Sequence, residues 1–312
     1  MPPAQQCRIS KINKLSDDVM SFELESLSGP FVSLEPGVHL DVYLENDMIR
    51  QYSVWSWSDD KQKLAIAVKR ENNGSGGSIA MHQLKEGDLL GISDPRNNFK
   101  LQENAPHYTL IAGGIGVTPI CSMVNYLQKN DADFSIYYLV QKSSLAAFAS
   151  HFDNSELGGN YHLHCDNENG LFDFKQLMKT IPENSHIYTC GPEPMLNAIL
   201  DAAQNHDLHF ERFSAASDKK ELKSQAFEIK INSTGALYQV GADETILSVL
   251  KENGLYIDSG CSEGICGTCI TDVLEGDIDH RDEILSDDEK ISNEYMCVCV
   301  SRAKSKQIVL DL

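Results

Sequence analysis

Hydrophobic and polar residues alternate with a period of two over the first part of the chain. The runs VMSFELESL, HLDVYLE, RQYSVWSW and KLAIAVKR are separated by Gly, Pro, Asn and Asp, and such runs broken by turn residues predict an antiparallel sheet or barrel over residues 1–103. From about residue 107 the pattern changes. Apolar runs (YTLIAGG, FSIYYLV, HIYTCG) now alternate with helical stretches (TPICSMVNYLQKN, PMLNAILDAAQNH), which predicts an α/β domain with a parallel sheet over residues 104–213. SAASDKKELKSQ, residues 214–225, is small, polar and without apolar periodicity, and reads as a linker. The remainder, residues 226–312, opens as a hairpin and a short helix and then reaches an unusual stretch, GCSEGICGTC.

Composition changes this picture little. A chain of 312 residues with 41% hydrophobic content can bury a sizeable core and is long enough for two or three domains. No apolar run approaches the roughly 18 residues of a membrane span, and MPPAQQCRIS lacks the apolar core of a secretory signal, so the expected location is cytoplasmic. The net charge of -20 argues against nucleic acid and anionic membranes as partners.

The cysteines change it more. Nine of them, an odd number, are not a disulfide framework, and clustered thiols in a reducing compartment point to metal. Cys261, Cys266 and Cys269 have the C-x4-C-x2-C spacing which, with a distant fourth cysteine, holds a plant-type [2Fe-2S] cluster. Gly260, Gly264 and Gly267 allow the backbone to approach the inorganic sulfides. Zinc would favour paired C-x2-C units or histidines, absent nearby. The fourth ligand is Cys297 or Cys299 in YMCVCVSRA; on an extended strand both would face the same way, so alternation leaves the choice open.

Further stretches carry possible cofactor chemistry. Arg50-Gln51-Tyr52-Ser53 opens a strand-like run; its guanidinium suits a phosphate and its hydroxyls suit a polar ring edge. Gly76, Gly77 and Ser78 precede a helical pattern whose first amides could bind a phosphate. LIAGGIGVTPI sets Gly113, Gly114 and Gly116 between a strand and a helix that starts at Thr118-Pro119, a phosphate-cradling turn. Cys190-Gly191-Pro192 ends a later strand, where open α/β sheets bind ligands.

Together these motifs, in this order from about residue 7 to Leu312, resemble the phthalate dioxygenase reductase and vanillate demethylase reductase family. The resemblance implies an antiparallel β-barrel flavin domain, an α/β parallel-sheet nucleotide domain and a β-grasp-like α+β ferredoxin domain. It makes Arg50, Gln51, Tyr52, Ser53, Val68, Lys69, Gly76, Gly77, Ser78 and Asn98 of PRNNF flavin contacts. It assigns Gly113, Gly114, Gly116, Thr118, Pro119, Cys190, Gly191 and Pro192 to the nucleotide. Ser53, Cys190 and Phe213 of HFERF then stand at the reacting centre. The last cluster ligand in the family directly precedes x-S-R-A, which selects Cys299 and leaves Cys297 as a packing neighbour. One departure is Ser75, where the family often has arginine between the glycines.

The implied activity is an NADH-dependent reductase that passes electrons through FMN and a [2Fe-2S] cluster to a terminal Rieske-type non-haem iron oxygenase, working as a monomer. FMN is expected over FAD because no added segment after the flavin motifs suits an adenine, and the family uses FMN. NADPH stays open beside NADH, since YYLVQKSS supplies neither an acid nor an arginine, while Lys142, Ser143 and Ser144 could hold a phosphate. The alternative is an electron-transfer or redox-sensing subunit that does not turn over NAD(P)H. A run of acids between Asp272 and Glu294 is either a solvated face or a docking patch.

Overall fold

A computed structural model describes residues 3–45, 48–74, 76–153, 157, 160–213 and 224–312. Residues 3–213 belong to one compact unit and residues 224–312 to another. Ser75 and residues 214–223 of the expected linker lie outside the described residues.

The first part forms six strands, β1 (Gln5–Lys14), β2 (Val19–Ser26), β3 (His39–Tyr43), β4 (Ile49–Trp57), β5 (Lys63–Lys69) and β6 (Leu89–Ile92), of which β2 to β5 are the four alternating runs. They close as an antiparallel barrel in the order β1-β2-β5-β4-β3-β6, so the expectation of a sheet or barrel resolves to a barrel, which leaves no open edge. Phe22, Leu24, Leu40, Val42, Val54, Leu64, Ile66 and Val68 fill it. Helix α1 (Gly77–Gln83) follows β5.

The same unit continues into a parallel sheet of β7 (Tyr108–Gly113), β8 (Phe134–Val140), β9 (Tyr161–Cys165), β10 (His186–Cys190) and β11 (Asp207–Glu211), ordered β11-β10-β7-β8-β9. Every residue of β7 is buried, as a central parallel strand covered on both faces requires. Between the strands lie α2 (Val117–Lys129), α3 (Ala149–Asp153), α4 (Asp166–Asn169), α5 (Phe174–Met178) and α6 (Glu193–Ala202). The order of connection reverses between β7 and β10. In open α/β sheets a ligand binds at the carboxyl ends of the strands at such a reversal. The sheet and barrel are packed together: the Ser122 hydroxyl of α2 accepts from the Gly37 amide at 3.0 Å, and the Tyr188 hydroxyl of β10 accepts from the Gln102 amide at 2.7 Å.

The second unit is a mixed sheet, β13-β12-β18-β14-β16, with a separate pair β15–β17. Its elements are β12 (Phe227–Ile231), β13 (Leu237–Val240), α7 (Ile246–Glu252), β14 (Ile270–Glu275), β15 (Ile278–Asp279), α8 (Asp287–Ser292), β16 (Tyr295–Cys297), β17 (Arg302–Ala303) and β18 (Gln307–Leu310). Thr245 and Ser248 form a capping box that starts α7, and Ile246, Val249 and Leu250 of this helix pack into the core of the unit.

Candidate functional site

The cysteine stretch forms an irregular loop between α7 and β14. Gly264 is in the left-handed region at φ 77, and a Cβ there would stand 2.6 Å from Val300 Cγ2. Only glycine lets the loop close against the segment that carries Cys299. Amides point at sulfur: Cys261 N–H donates to Cys266 Sγ at 3.5 Å and Glu263 N–H to Cys261 Sγ at 3.3 Å. Thiol protons donated by neighbours, Cys261 to Cys266 and Cys297 then Cys299 to Cys269, pull Cys266 and Cys269 well below the ordinary thiol range. None of the nine cysteines is in a disulfide. A donor set of adjoining thiols, two of them poised as thiolates and supplied with amide donors, fits an iron-sulfur cluster.

The supposition that Cys297 and Cys299 share an extended strand does not hold. β16 ends at Cys297, whose carbonyl accepts from the amides of Val300 at 3.1 Å and Ser301 at 2.9 Å. The resulting turn gives the two thiols different surroundings. Both lie next to Cys269, but Cys299 also feels Cys261 and the Gly264 amide, whereas Cys297 feels the Asp282 carboxylate.

In the barrel, β4 carries Arg50, Gln51, Tyr52 and Ser53. The Arg50 stem runs across Gly77, where a Cβ would meet its Nε at 2.4 Å and Cγ at 2.5 Å, so the structure brings Arg50 and the Gly76-Gly77 turn together. Gly76 is the N-cap of α1, and no side chain caps the helix. Ser78 instead accepts from the Glu71 amide at 3.0 Å. Tyr52 packs against the barrel core, and burial pushes its phenol up. Val68 is itself a core residue, Lys69 pairs with Glu71 at 2.7 Å, and Asn98 is exposed.

At the other end of this unit two turns meet. Gly116 lies so close to the end of β10 that a Cβ would stand 2.4 Å from the Cys190 carbonyl oxygen, and a Cβ on Gly191 would stand 3.0 Å from Gly113 Cα. Gly113, Gly114, Gly116, Cys190, Gly191 and Pro192 thus gather at the reversal point of the sheet. α2 begins there without a side-chain cap, Thr118 giving its hydroxyl proton to the Ile115 carbonyl at 3.1 Å and Pro119 lying in its first turn. Those open amides suit an anion. Lys142, Ser143 and Ser144 are exposed after β8.

Two residues passed over in the sequence join the two ends. His39 pairs with Ser53 across β3 and β4. Because Leu40 and Val42 belong to the barrel core, alternation turns His39 outward, yet it is only 5% exposed. Its Nδ1 lies 3.9 Å from Glu211 Oε1, and Glu211 pairs in register with Cys190. Burial carries Glu211 up to about 8 and, with Arg96 nearby, takes His39 down to about 4. Cys190 is likewise held as a neutral thiol, chiefly by burial. Neither His39 nitrogen, nor Glu211 Oε2, nor Gln51 Nε2 has a hydrogen-bond partner among the described residues. Orphaned buried polar atoms between a glycine turn and a strand of hydroxyls fit a polar ring system seated there. Phe213, just beyond β11, is 43% exposed. The only local signal for Glu211 is its place at the carboxyl end of a parallel strand; His39 has none.

Comparison with known proteins accounts for all three blocks. Residues 6–101 match the family model described as an oxidoreductase FAD-binding domain, 110–201 an oxidoreductase NAD-binding domain, and 229–304 a 2Fe-2S iron-sulfur cluster binding domain. The vanillate O-demethylase oxidoreductase of Pseudomonas sp. (strain HR199) is 37% identical over 97% of this chain and 98% of its own length. Among solved structures, a phthalate dioxygenase reductase superposes with a TM-score of 0.74 at 35% identity, over 98% of this chain and 97% of that one. An intact type IV self-sufficient cytochrome P450 monooxygenase superposes with a TM-score of 0.88 at 30% identity, over 99% of this chain, which spans 41% of that longer one. The protein is therefore an oxidoreductase with flavin, NAD and [2Fe-2S] domains.

Proposed function

The chain belongs to the family of vanillate O-demethylase oxidoreductases and phthalate dioxygenase reductases, and from that premise we propose that it takes a hydride from NADH and delivers single electrons to a Rieske-type oxygenase. A flavin accepts electrons in pairs and a [2Fe-2S] cluster carries them singly. The observation that carries the reading is the continuous path from Cys190 through Glu211 and His39 to Ser53, inside one compact unit.

Each residue then has a task. Arg50, with Gly76 and Gly77 beside it, binds the flavin phosphate, and Ser53 presents its hydroxyl to the ring edge. The Gly113–Gly116 turn and the open start of α2 hold the pyrophosphate of the nucleotide, and Cys190 offers an uncharged wall to the nicotinamide. The neutral forms of Glu211 and His39 keep fixed charge away from the transferring hydride. Cys261, Cys266, Cys269 and Cys299 hold the cluster, with Cys297 packing behind it. Phe213 covers the exposed side of the ring.

FMN is the flavin in this reading, NADH the preferred donor, a monomer the working state and the cytoplasm its compartment. No helix among the described residues is long and apolar enough to cross a membrane. The test is direct: release the flavin by denaturation, then compare ferricyanide reduction with NADH and with NADPH. Release of FMN and faster turnover with NADH are expected. Release of FAD would overturn the cofactor assignment, higher efficiency with NADPH the donor, and no turnover with either would leave only an electron carrier.

A further inference from the structure

Of the five register pairs that join β10 to β11, three alternate ones are His186 to Asp207, Tyr188 to His209, and Cys190 to Glu211. Alternation places all six side chains on one face of the sheet. The Cys190–Glu211 pair serves the reaction end. The opposite, amino end of the same ladder carries two imidazoles and a carboxylate to which no role has been given.

These groups converge. His186 Nε2 lies 3.3 Å from Asp207 Oδ2, and His209 Nε2 lies 3.1 Å from Asp207 Oδ1; one ligand atom from each of the three falls within 4.8 Å of the others. Bonds of about 2.0–2.2 Å in a tetrahedral site set neighbouring ligand atoms roughly 3.3 Å apart; the two imidazole–carboxylate separations, each to a different Asp207 oxygen, are of that size, and a set within 4.8 Å needs only a small closure to share an ion. The Asp207 carboxylate holds His209, lying 3.1 Å from its Nε2, but His186 Nδ1 is a buried atom without a hydrogen-bond partner among the described residues. Ring orientation is fixed: His209 stacks on Tyr188 at 4.6 Å between centroids and 17° between planes, and His186 stacks on His209 at 5.7 Å. Both imidazoles are about four-fifths covered while the Asp207 side chain is 52% exposed, so an ion has an entry path and an open position.

We propose that His186, Asp207 and His209 form a binding site for a divalent transition ion of the zinc type, at the amino ends of β10 and β11. Two nitrogens among three donors select against Mg2+ and Ca2+, which require oxygen. The ion would clasp the two strands at the end remote from the glycine turns.

Calorimetric titration of the tag-free, flavin- and cluster-loaded chain with Zn2+ tests the site. One ion per chain is expected, with no comparable heat from Mg2+. D207N and H209Q should each weaken zinc binding by about tenfold or more, while H107Q, whose imidazole is paired with Asp133 at 2.9 Å, should not. The half-exposed Asp207 keeps the test usable if the stacked His209 variant fails to fold. Zinc should also raise the thermal midpoint of the wild type and leave that of D207N unchanged. Absence of zinc binding in the wild type, wild-type affinity in D207N, or equal affinity for Mg2+ would overturn the proposal.

Discussion

The cysteine loop and the pocket proposed for hydride transfer reach their geometry by opposite routes. In the loop, three thiols arrive within ten residues, and the fourth comes from a turn that packs directly against Gly264. In the pocket, Ser53, His39, Glu211 and Cys190 come from four strands of two sheets and meet only through ladder register and a 3.9 Å contact. Ligands of one small inorganic centre must lie within a few ångströms of it, and short spacing is the simplest way to achieve that. An environment that suppresses charge needs burial, which only long-range packing supplies.

The sharpest way to break the comparison is to ask whether the loop really depends on its turn. Cys299→Ser should lose or alter the visible and paramagnetic signals of the reduced cluster and cut delivery to the oxygenase by about a hundredfold or more. NADH–ferricyanide turnover should persist, because ferricyanide takes electrons from the flavin. Cys297→Ala should keep a normal spectrum at a stability cost on the order of 1 kcal/mol. A normal spectrum in the Cys299 variant with cluster loss in the Cys297 variant would reverse the two roles.

The pocket is probed through its charge. Glu211 is neutral in the fold until about pH 8, against an ordinary value of 4.5. A folded value raised above the unfolded one means that its stabilising contribution is complete below about pH 4.5 and is lost as pH rises towards 8. Glu211→Gln removes that loss. The variant should therefore gain on the wild type between about pH 5 and about pH 8, by several kcal/mol at most, since a tenfold change in a protonation equilibrium corresponds to about 1.4 kcal/mol. Thermal unfolding of both forms across that range checks it. A difference in midpoint independent of pH would show that Glu211 is ionised in the fold.

What was legible follows the same division. Four barrel strands, β2 to β5, could be read because a one-sided wall alternates, and β7 and β8 because buried parallel strands are largely apolar; β1 and β6 were not read. Cys261, Cys266 and Cys269, proposed as ligands, were marked by spacing. β9 and β11 were not recognised, since YHLHC and DLHFE at the sheet edges mix polar and apolar residues without a clean period. His39 was hidden for a related reason: an outward position on a barrel strand normally meets water, and its burial is decided by a sheet that begins far along the chain. The end of β16 at Cys297 was equally invisible, because YMCVCV has the composition of an uninterrupted strand.

A smaller effect tests how closely the two turns of the pocket must approach. Gly116→Ala sets a methyl group 2.4 Å from the Cys190 carbonyl oxygen, a backbone atom that cannot swing aside. The cost should be roughly 1–3 kcal/mol of stability, with a raised KM for NADH and little change in the cluster spectrum. Gly114→Ala makes a contrast, for its Cβ would meet nothing within 4 Å and only its φ of 53 opposes the change. Equal KM values in wild type and the Gly116 variant would mean that the nucleotide does not use this turn.

The smallest expected effect concerns the acids of the second unit, several of which prove to have structural work. Asp282 is buried, accepting from the Leu285 amide at 3.0 Å and the Ser301 hydroxyl at 3.1 Å. Asp279 pairs with Arg281 at 2.7 Å, and Glu289 completes a capping box with Ser286. Asp287 and Asp288 are exposed in the first turn of α8, where negative charge also favours the helix. A docking role would fall to these two together with the exposed Asp277 and Glu283. Screening over about 10 Å at 0.1 M salt should slow electron transfer to a basic oxygenase surface by no more than a few-fold. The same salt should leave flavin reduction unchanged or speed it, because NADH is an anion approaching a chain of net charge -20. Slowing of the transfer to the oxygenase without slowing of flavin reduction is therefore the expected signature, and Asp287→Asn with Asp288→Asn should flatten only the first. If both steps slow together, or the double variant keeps the full salt dependence, the acids serve the helix and the solvent alone.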